Sequence, residues 1–579
     1  MQPAAERRQR YAALFHRRPM PQQAVPGHQD LDQDLAQHPN RRQWLQGLGA
    51  LGLGALGLAA QLPAIAQAGG DAPLAMAPWP VSEQLFGLGV ASGEPDASSV
   101  VLWTRLLPSA NTPLLRPLEV HWELAHDAQF RQILRQGEAM ASPDGGHSVH
   151  VLAQGLEADR WYYYRFHCQG QSSAIGRTRT APAAGAEVAR LRLVYASCQR
   201  WEHGYYAAWS HAREDDPDLV VFLGDYIYEY ATPASAAKQK SSQLARLHPL
   251  AHAVSLQDYR DRYALHKSDP DLQAMHAHCP WLVTWDDHEV EDNYVGDYGV
   301  GKTQAFIAKR MAAYQAFYEN MPLRASVACK QAGLALPPAH TPLYRQQSWG
   351  ALADMWVLDA RQYRDAQACR AVTEKSPASV KAADCADLER NSRSFLSWEQ
   401  ERWLAAQLAD NSAAKPGSRR WSVICQQTLF AARHFANGRT SADTWDGYPA
   451  ARQRLLRAVA EAQLRNTVLL GGDIHQNYVC RIQDPESATP ERVLASEFCG
   501  TSISSHSGTT QARVDAIVAH NPHVLLARCD ERGYGLCDIT PKLWTTQLRV
   551  IHQPQYANSG AHTLARFVVE DQVAGPQWA

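Results

Sequence analysis

From Leu191 onward the chain repeats one unit: a short apolar run that stops abruptly in a polar cluster. The runs are "LRLVYASCQR", "DLVVFLGDYIYE", "CPWLVTWDDHE", "GALADMWVLDARQYR", "RWSVICQQTLF" and "NTVLLGGDIHQNY". Between them lie stretches with helical spacing, such as "KTQAFIAKRMAAYQAFYEN" and "SWEQERWLAAQLADN". Alternation of this kind indicates an α/β domain, over 190–579. Such folds gather their reactive side chains on the loops at one end of the strands.

Upstream the pattern changes. From Phe86 to about Pro182 short strands and turns follow one another, with half-buried alternation in Val120-His121-Trp122-Glu123-Leu124 and Tyr162-Tyr163-Tyr164-Arg165-Phe166. Their regular spacing predicts a small β-sandwich of immunoglobulin or fibronectin type over 81–183, joined to the α/β domain by "PAAGAEVA". Further upstream stands "NRRQWLQGLGALGLGALGLAAQLPAIAQAGG", with the pair Arg41–Arg42, an apolar stretch from Leu45 to Ala60, and a small-x-small end at Ala66-Gln67-Ala68. The stretch is too short and glycine-rich to span a bilayer well, so 1–68 reads as a removable signal region cleaved near Ala68. With Asn40 before the arginines and Trp44 after them, the pair is similar to a twin-arginine (Tat) export signal. The expected location is periplasmic or secreted, with the Tat translocase as a transient partner and no stable membrane span after processing.

A net charge of −2 with 20% charged residues gives no reason to expect nucleic acid or an anionic membrane as partner. The 11 cysteines include no CxxC pair, which disfavours a zinc knuckle. In an oxidising compartment some should pair, and Cys369–Cys385 and Cys529–Cys537 are the candidate bridges. An odd total leaves at least one thiol free.

Taken together, the strand ends form a constellation. "ASCQ" offers Cys198, "GDYIYE" offers Asp225 and Tyr228, "WDDHEVEDNY" offers Asp286, Asp287, His288 and Asn293, and "GGDIHQ" offers Asp473 and His475. Singly, a strand-end Asp is often a turn former or helix cap, and a lone His is more often structural. Four strand ends that each carry oxygen, sulfur or imidazole donors are a different matter. They suit a clamp of several cations that binds phosphoryl oxygens. Neither GxSxG nor GxxxxGK[ST] occurs, so serine hydrolysis and a nucleotide cradle both lack a motif. Metal-dependent phosphoester hydrolysis is the reading the residues favour.

The ordered set "GVASGEPDASSVVLWTRL", "ASCQ", "GDYIYE", "WDDHEVEDNY", "LDARQYR", "DTWDGYPAAR", "GGDIHQ" and "EFCGTSISS" resembles the PhoD-type alkaline phosphatases, from about residue 80 to the C-terminus. The resemblance implies a two-sheet αββα metallophosphatase sandwich behind a small all-β immunoglobulin-like domain. It also implies export by Tat, hydrolysis of phosphomonoesters and phosphodiesters at alkaline pH, and a site of one Fe3+ with two Ca2+. Carried over by motif, Cys198 is the iron-binding thiolate and is therefore the thiol left unpaired. Asp225 is the carboxylate shared by iron and calcium, Tyr228 an iron-binding phenolate, and Asn293 a calcium-side ligand. Asp287 and His288 fall where such enzymes place a ligand and a phosphate-contacting histidine, with Asp286 the alternative to Asp287; Asp473 and His475 close the site. Arg361 is a candidate for phosphate contact, and an Arg–Asp scaffold pair is its alternative. "DTWDGYP" is a candidate for the pocket rim, with a well-packed aromatic turn as its alternative. Asp292 departs from the family, standing where a second asparagine is expected, and the C-terminal tail does not read as a long helical lid.

Expected substrates are phosphoester small molecules or cell-wall and lipid phosphodiesters. Two alternatives use the same site: a phospholipase-type or teichoic-acid-type phosphodiesterase, and a non-catalytic exported phosphate-binding protein.

Overall fold

All six apolar runs are strands, and they divide into two sets of three. Leu191–Ala196, Leu219–Phe222 and Trp281–Val283 lie side by side and parallel, with Val220 opposite both Val194 and Trp281. Ala353–Val357, Trp421–Cys425 and Thr467–Gly471 are likewise parallel, in a second sheet. The computed structural model describes residues 84–108, 114, 116–232, 244–299, 303–332, 341–370, 378–487 and 492–579. The signal region read over 1–68 lies outside them. No helix among the described residues is long and apolar enough to cross a membrane.

Further strands complete each sheet, with Val493–Cys499 parallel to its neighbour Thr467–Gly471. Arg532–Ile539, Leu543–Ile551, Ala561–Glu570 and Gln577–Trp578 extend the first set, in a ten-stranded sheet. The tail is thus strand rather than helix. Arg345–Trp349 on one edge, and Val493–Cys499, Asn477–Gln483 and Val524–Arg528 on the other, complete a seven-stranded sheet. Leu193, Tyr195, Val221 and Leu282 of the first sheet share one core cluster with Met355, Val423, Val468 and Leu470 of the second. The opposite face of the first sheet, with Val194, Val220, Phe222 and Trp281, packs with Trp209, Tyr263, Met275 and Phe317 from the helices Ala207–Glu214, Leu256–Lys267, Pro270–His276 and Gln304–Asn320. Burial on both faces is why these strands read as unbroken apolar runs. Each fully buried aliphatic side chain contributes about 1.5–3 kcal/mol.

The N-terminal region is all-β. Leu118–Ala125, Ile133–Ala141, Trp161–Cys168, Gln171–Ser172 and Gly176–Arg179 form a five-stranded sheet. Val90–Gly93, Ser99–Arg105 and Ser148–Gln154 instead continue the ten-stranded sheet, because Gly93 pairs in parallel with Trp281 and the Glu94 amide donates to the Trp281 carbonyl at 3.1 Å. Gly93 is required there: a Cβ would lie 2.6 Å from the Pro322 carbonyl oxygen and 2.8 Å from that of Trp281. The strand Ile133–Ala141 has no apolar alternation, since it is largely exposed and held by pairing with Leu118–Ala125.

One expected bridge is present, Cys369–Cys385. The other is corrected: Cys529 and Cys537 are both free. Arg532–Ile539 is an extended strand, so five residues of it already span about 16 Å, beyond the roughly 7 Å a disulfide tolerates. Cys537 lies in the core between the sheets, with Thr546 Oγ1 at 3.6 Å.

Candidate metal centre

The polar clusters that end the strands converge. Asp225 stands three residues beyond Phe222, and Gly224 before it runs so close to the next strand end that a Cβ would lie 2.5 Å from Asp286 Cβ. Several of the turns adopt left-handed backbone: φ is 60° at Cys198, 58° at Asp225, 56° at Asn293, 66° at Asp473 and 55° at His475. Each such non-glycine residue costs on the order of 1–3 kcal/mol, a strain that clusters at functional sites. Here it turns the side chains back across the ends of the strands.

Three sets of ligand-type atoms, each within 4.8 Å, overlap through shared members: Cys198, Asp225 and His475; Asp225, Asp287 and His288; Asp286, Asp287 and Asp473. Tyr228 joins the first set, its hydroxyl donating to Asp225 Oδ2 at 2.8 Å with His475 Nε2 at 3.1 Å. Ser505 Oγ donates to the same hydroxyl at 2.9 Å. His475 Nδ1 donates to the His506 carbonyl at 2.7 Å, which fixes the tautomer and leaves Nε2 as a lone pair toward the site. Asn293 is drawn in by its amide, which donates to Asp287 Oδ2 at 2.6 Å, while its side chain bonds Asp292 at 3.0 Å.

Both aspartates of the "WDDHE" stretch are buried and point inward. Arg361 lies behind them, wholly buried, ion-paired to Asp286, to Asp287 at 3.3 Å and to Asp443 at 2.8 Å. Arg364 also pairs with Asp443, at 3.1 Å. Arg361 thus stands as a counter-ion within the carboxylate cluster, with no exposed surface of its own.

Two arginines do not balance the cluster. Asp225 Oδ1, Asp286 Oδ2 and Asp287 Oδ1 are buried without a hydrogen-bond donor. Burial pushes the Asp225 and Asp286 carboxyls well above the usual range, and Asp473 up to about 6. Burial also pushes the Cys198 thiol and the Tyr228 phenol well up, the neighbouring acids adding to it. Asp287 behaves oppositely: burial is outweighed by Arg361 and His288, which hold it at about 2. For His288 burial is again overcome, by Glu229, Asp287 and Asp225, so its pKa is well raised. Burial and Arg532 push His475 down to about 3, keeping it neutral. A cation would replace the protons these buried acids otherwise need, and thiolate, phenolate, imidazole and carboxylate are the donors metal ions take. The residues fit such ions.

A family model described as PhoD-like phosphatase matches residues 193–548, and one for the PhoD-like phosphatase N-terminal domain matches 73–182. The chain belongs to the PhoD-like phosphatase family. It is 40% identical over 549 residues to alkaline phosphatase D of Bacillus subtilis (strain 168), covering 93% of this chain and 88% of that protein. A solved structure described as "Structure of PhoD" superposes with a TM-score of 0.77 at 40% identity, covering 86% of this chain and 93% of that one. The protein is a PhoD-like alkaline phosphatase, with a mixed α/β fold and an N-terminal all-β region matching that structure.

Other side chains complete this PhoD-like site. Glu229 accepts from His288 Nδ1 at 2.8 Å and from the Asp292 amide at 2.9 Å. Asp443, in "DTWDGYP", gathers Arg361, Arg364 and the Gln367 side chain, the last at 2.8 Å. Glu289 accepts from the amides of Asp225, Tyr226 and Asp286 at 3.1, 2.7 and 2.9 Å, tying two strand ends together. Glu291 pairs with Lys309 at 2.6 Å. Cys499, of "EFCGTSISS", is buried with its thiol 3.3 Å from the Gly472 carbonyl, directly behind Asp473. Sequence could have flagged Glu229, which directly follows Tyr228.

Proposed function

We propose that this protein is an exported hydrolase of phosphomonoesters and phosphodiesters, active at alkaline pH through a site of one Fe3+ and two Ca2+. The observation that carries the reading is that three buried carboxylate oxygens without hydrogen-bond donors, on Asp225, Asp286 and Asp287, lie in overlapping ligand sets, which Asp225 links to Cys198, Tyr228 and His475. Cys198, Asp225, Tyr228 and His475 would hold the iron, and Asp225, Asp287, Asn293 and Asp473, with Asp286 beside them, the calcium ions. When bound, the ions neutralise charge on the phosphoryl oxygens and supply an activated oxygen nucleophile.

The chain's own groups do the rest. Glu229 orients His288 through Nδ1, so that the raised pKa leaves an Nε2–H to donate to a phosphoryl or leaving-group oxygen. Arg361, held by Asp286, Asp287 and Asp443, keeps the carboxylates in place and damps their repulsion. The two large sheets sharing one core support the αββα metallophosphatase reading, and the all-β region supports the immunoglobulin-like one. The paired arginines and apolar stretch before Ala68 support Tat export to the periplasm or outside the cell.

Elemental analysis of protein purified without chelator, run beside hydrolysis of p-nitrophenyl phosphate and its bis-ester, tests the reading. Iron near one per chain, calcium above one, and turnover of either ester are expected. Folded protein with metal but no turnover would leave the non-catalytic phosphate binder. A strong excess of bis-ester turnover would point to a phospholipase-type or teichoic-acid-type phosphodiesterase.

A further inference from the structure

Arg361 is enclosed by acids, so another cation must meet the substrate if an arginine does. Arg200, two residues beyond Cys198, is placed for it. Its backbone is fixed to the site: its amide donates to Ser505 Oγ at 3.0 Å, and Ser504 Oγ donates to its carbonyl at 2.8 Å. That same Ser505 hydroxyl contacts the Cys198 carbonyl at 3.0 Å and the Tyr228 hydroxyl at 2.9 Å.

The side chain is held less tightly. Its guanidinium carbon stands 5.8 Å from the centroid of the Tyr228 ring and 4.9 Å from that of Tyr230. Among the described residues its ion pair is with Glu202, at 3.4 Å through Nε, and its side chain is 18% exposed. The two Nη nitrogens have no acceptor among the described residues. His288 packs against the same aromatic pair, 4.2 Å from Tyr228 and 5.2 Å from Tyr230 between ring centroids. Its Nε2 is likewise without a protein partner among the described residues. Arg200 and His288 therefore both lie against the tyrosine whose hydroxyl bonds Asp225.

We propose that Arg200 is the substrate-binding arginine of this enzyme, gripping two non-bridging oxygens of a phosphomonoester dianion, with Tyr230 as the shelf beneath its guanidinium. The proposal rests on the hydrolase reading above and deepens it. A guanidinium fork matches two oxygens of a phosphoryl group bidentately, which a lysine cannot reproduce. A phosphodiester carries one fewer negative charge and presents an ester arm where the monoester presents an oxygen. The grip therefore favours monoesters, and its loss falls unequally on the two substrate classes.

The test compares the full chain with Arg200→Gln and Arg200→Lys, measuring kcat and KM on p-nitrophenyl phosphate and bis(p-nitrophenyl) phosphate, with metal content determined for each. Arg200→Gln is expected to lower kcat/KM on the monoester about 100-fold and on the diester less than about 5-fold, with metal content unchanged. Arg200→Lys should recover part of the monoester loss by charge alone. Equal loss on both esters, loss accompanied by missing metal, or no change on either would overturn the proposal. Wild-type protein that turned over neither ester would overturn the hydrolase reading and this proposal with it, a result distinct from each of the others.

Discussion

Among the described residues, two regions bring acids and imidazoles within metal-binding reach, and they could hardly be more different. On the N-terminal sheet Glu119, His121 and Glu138 place three ligand-type atoms within 4.8 Å, as tightly as the sets at the strand ends. Their side chains are 53%, 53% and 60% exposed, and the acids lie against His121 at 3.3 and 3.5 Å. Water already solvates every charge there. At the strand ends, Asp225, Asp286 and Asp287 are buried, and one oxygen of each lacks a donor. Proximity of ligand-type atoms is common to both regions. Desolvation that the ion pairs to Arg361 only partly offset is not, and it is this excess of buried acid that makes a place for cations.

The largest way to break this contrast is at its shared member. Asp225→Asn should reduce turnover about 1,000-fold or more and lower metal stoichiometry, while the metal-free variant melts no lower than metal-free wild type, since one buried charge is gone. A variant that kept wild-type turnover and metal would erase the distinction between the two regions. Next in size, Arg361→Gln removes the central counter-ion. It leaves Asp286, Asp287 and Asp443 facing one another, so chemical denaturation should show a loss of about 3–5 kcal/mol. A shift of a few tenths would mean the acids are neutralised some other way.

Glu289→Gln is expected to cost less, about 1–3 kcal/mol in the same experiment, because the amide offers one acceptor oxygen where the carboxylate holds three backbone amides. Metal affinity should weaken with it as the turns carrying Asp225 and Asp286 loosen, which equilibrium dialysis would read. The smallest effect belongs to the exposed region. His121→Ala combined with Glu138→Gln should change unfolding free energy by no more than about 0.5 kcal/mol and leave metal stoichiometry and turnover at wild-type levels. Loss of a metal ion in that double variant would show that exposure is no bar to a site here.

The sequence was legible where one segment sufficed. Six of the parallel strands were visible as apolar runs, because burial on both faces imposes an uninterrupted apolar text. Cys198, Asp225, Asp473 and His475 were visible because glycines and strand ends mark them. What was hidden depends on partners remote in the chain. Asp443 reaches Arg361 across 82 positions, and Glu229 reaches His288 across 59. Nothing near Asp443 or Glu229 announces those partners. Ile133–Ala141 was hidden for the opposite reason, as an exposed strand with no face to pattern. Cys537 looked like a disulfide partner because spacing between cysteines says nothing about whether the intervening chain is extended.

The single pairing of Gly93 with Trp281 has a further consequence. The strand it covers leads, within a few residues, to Asp286 and Asp287. A chain trimmed to begin at 190 would bare Trp281–Val283 as an edge: a short, wholly apolar row of open amides and carbonyls beside those acids, ready to pair with another copy. The all-β region is thus a cover for that edge.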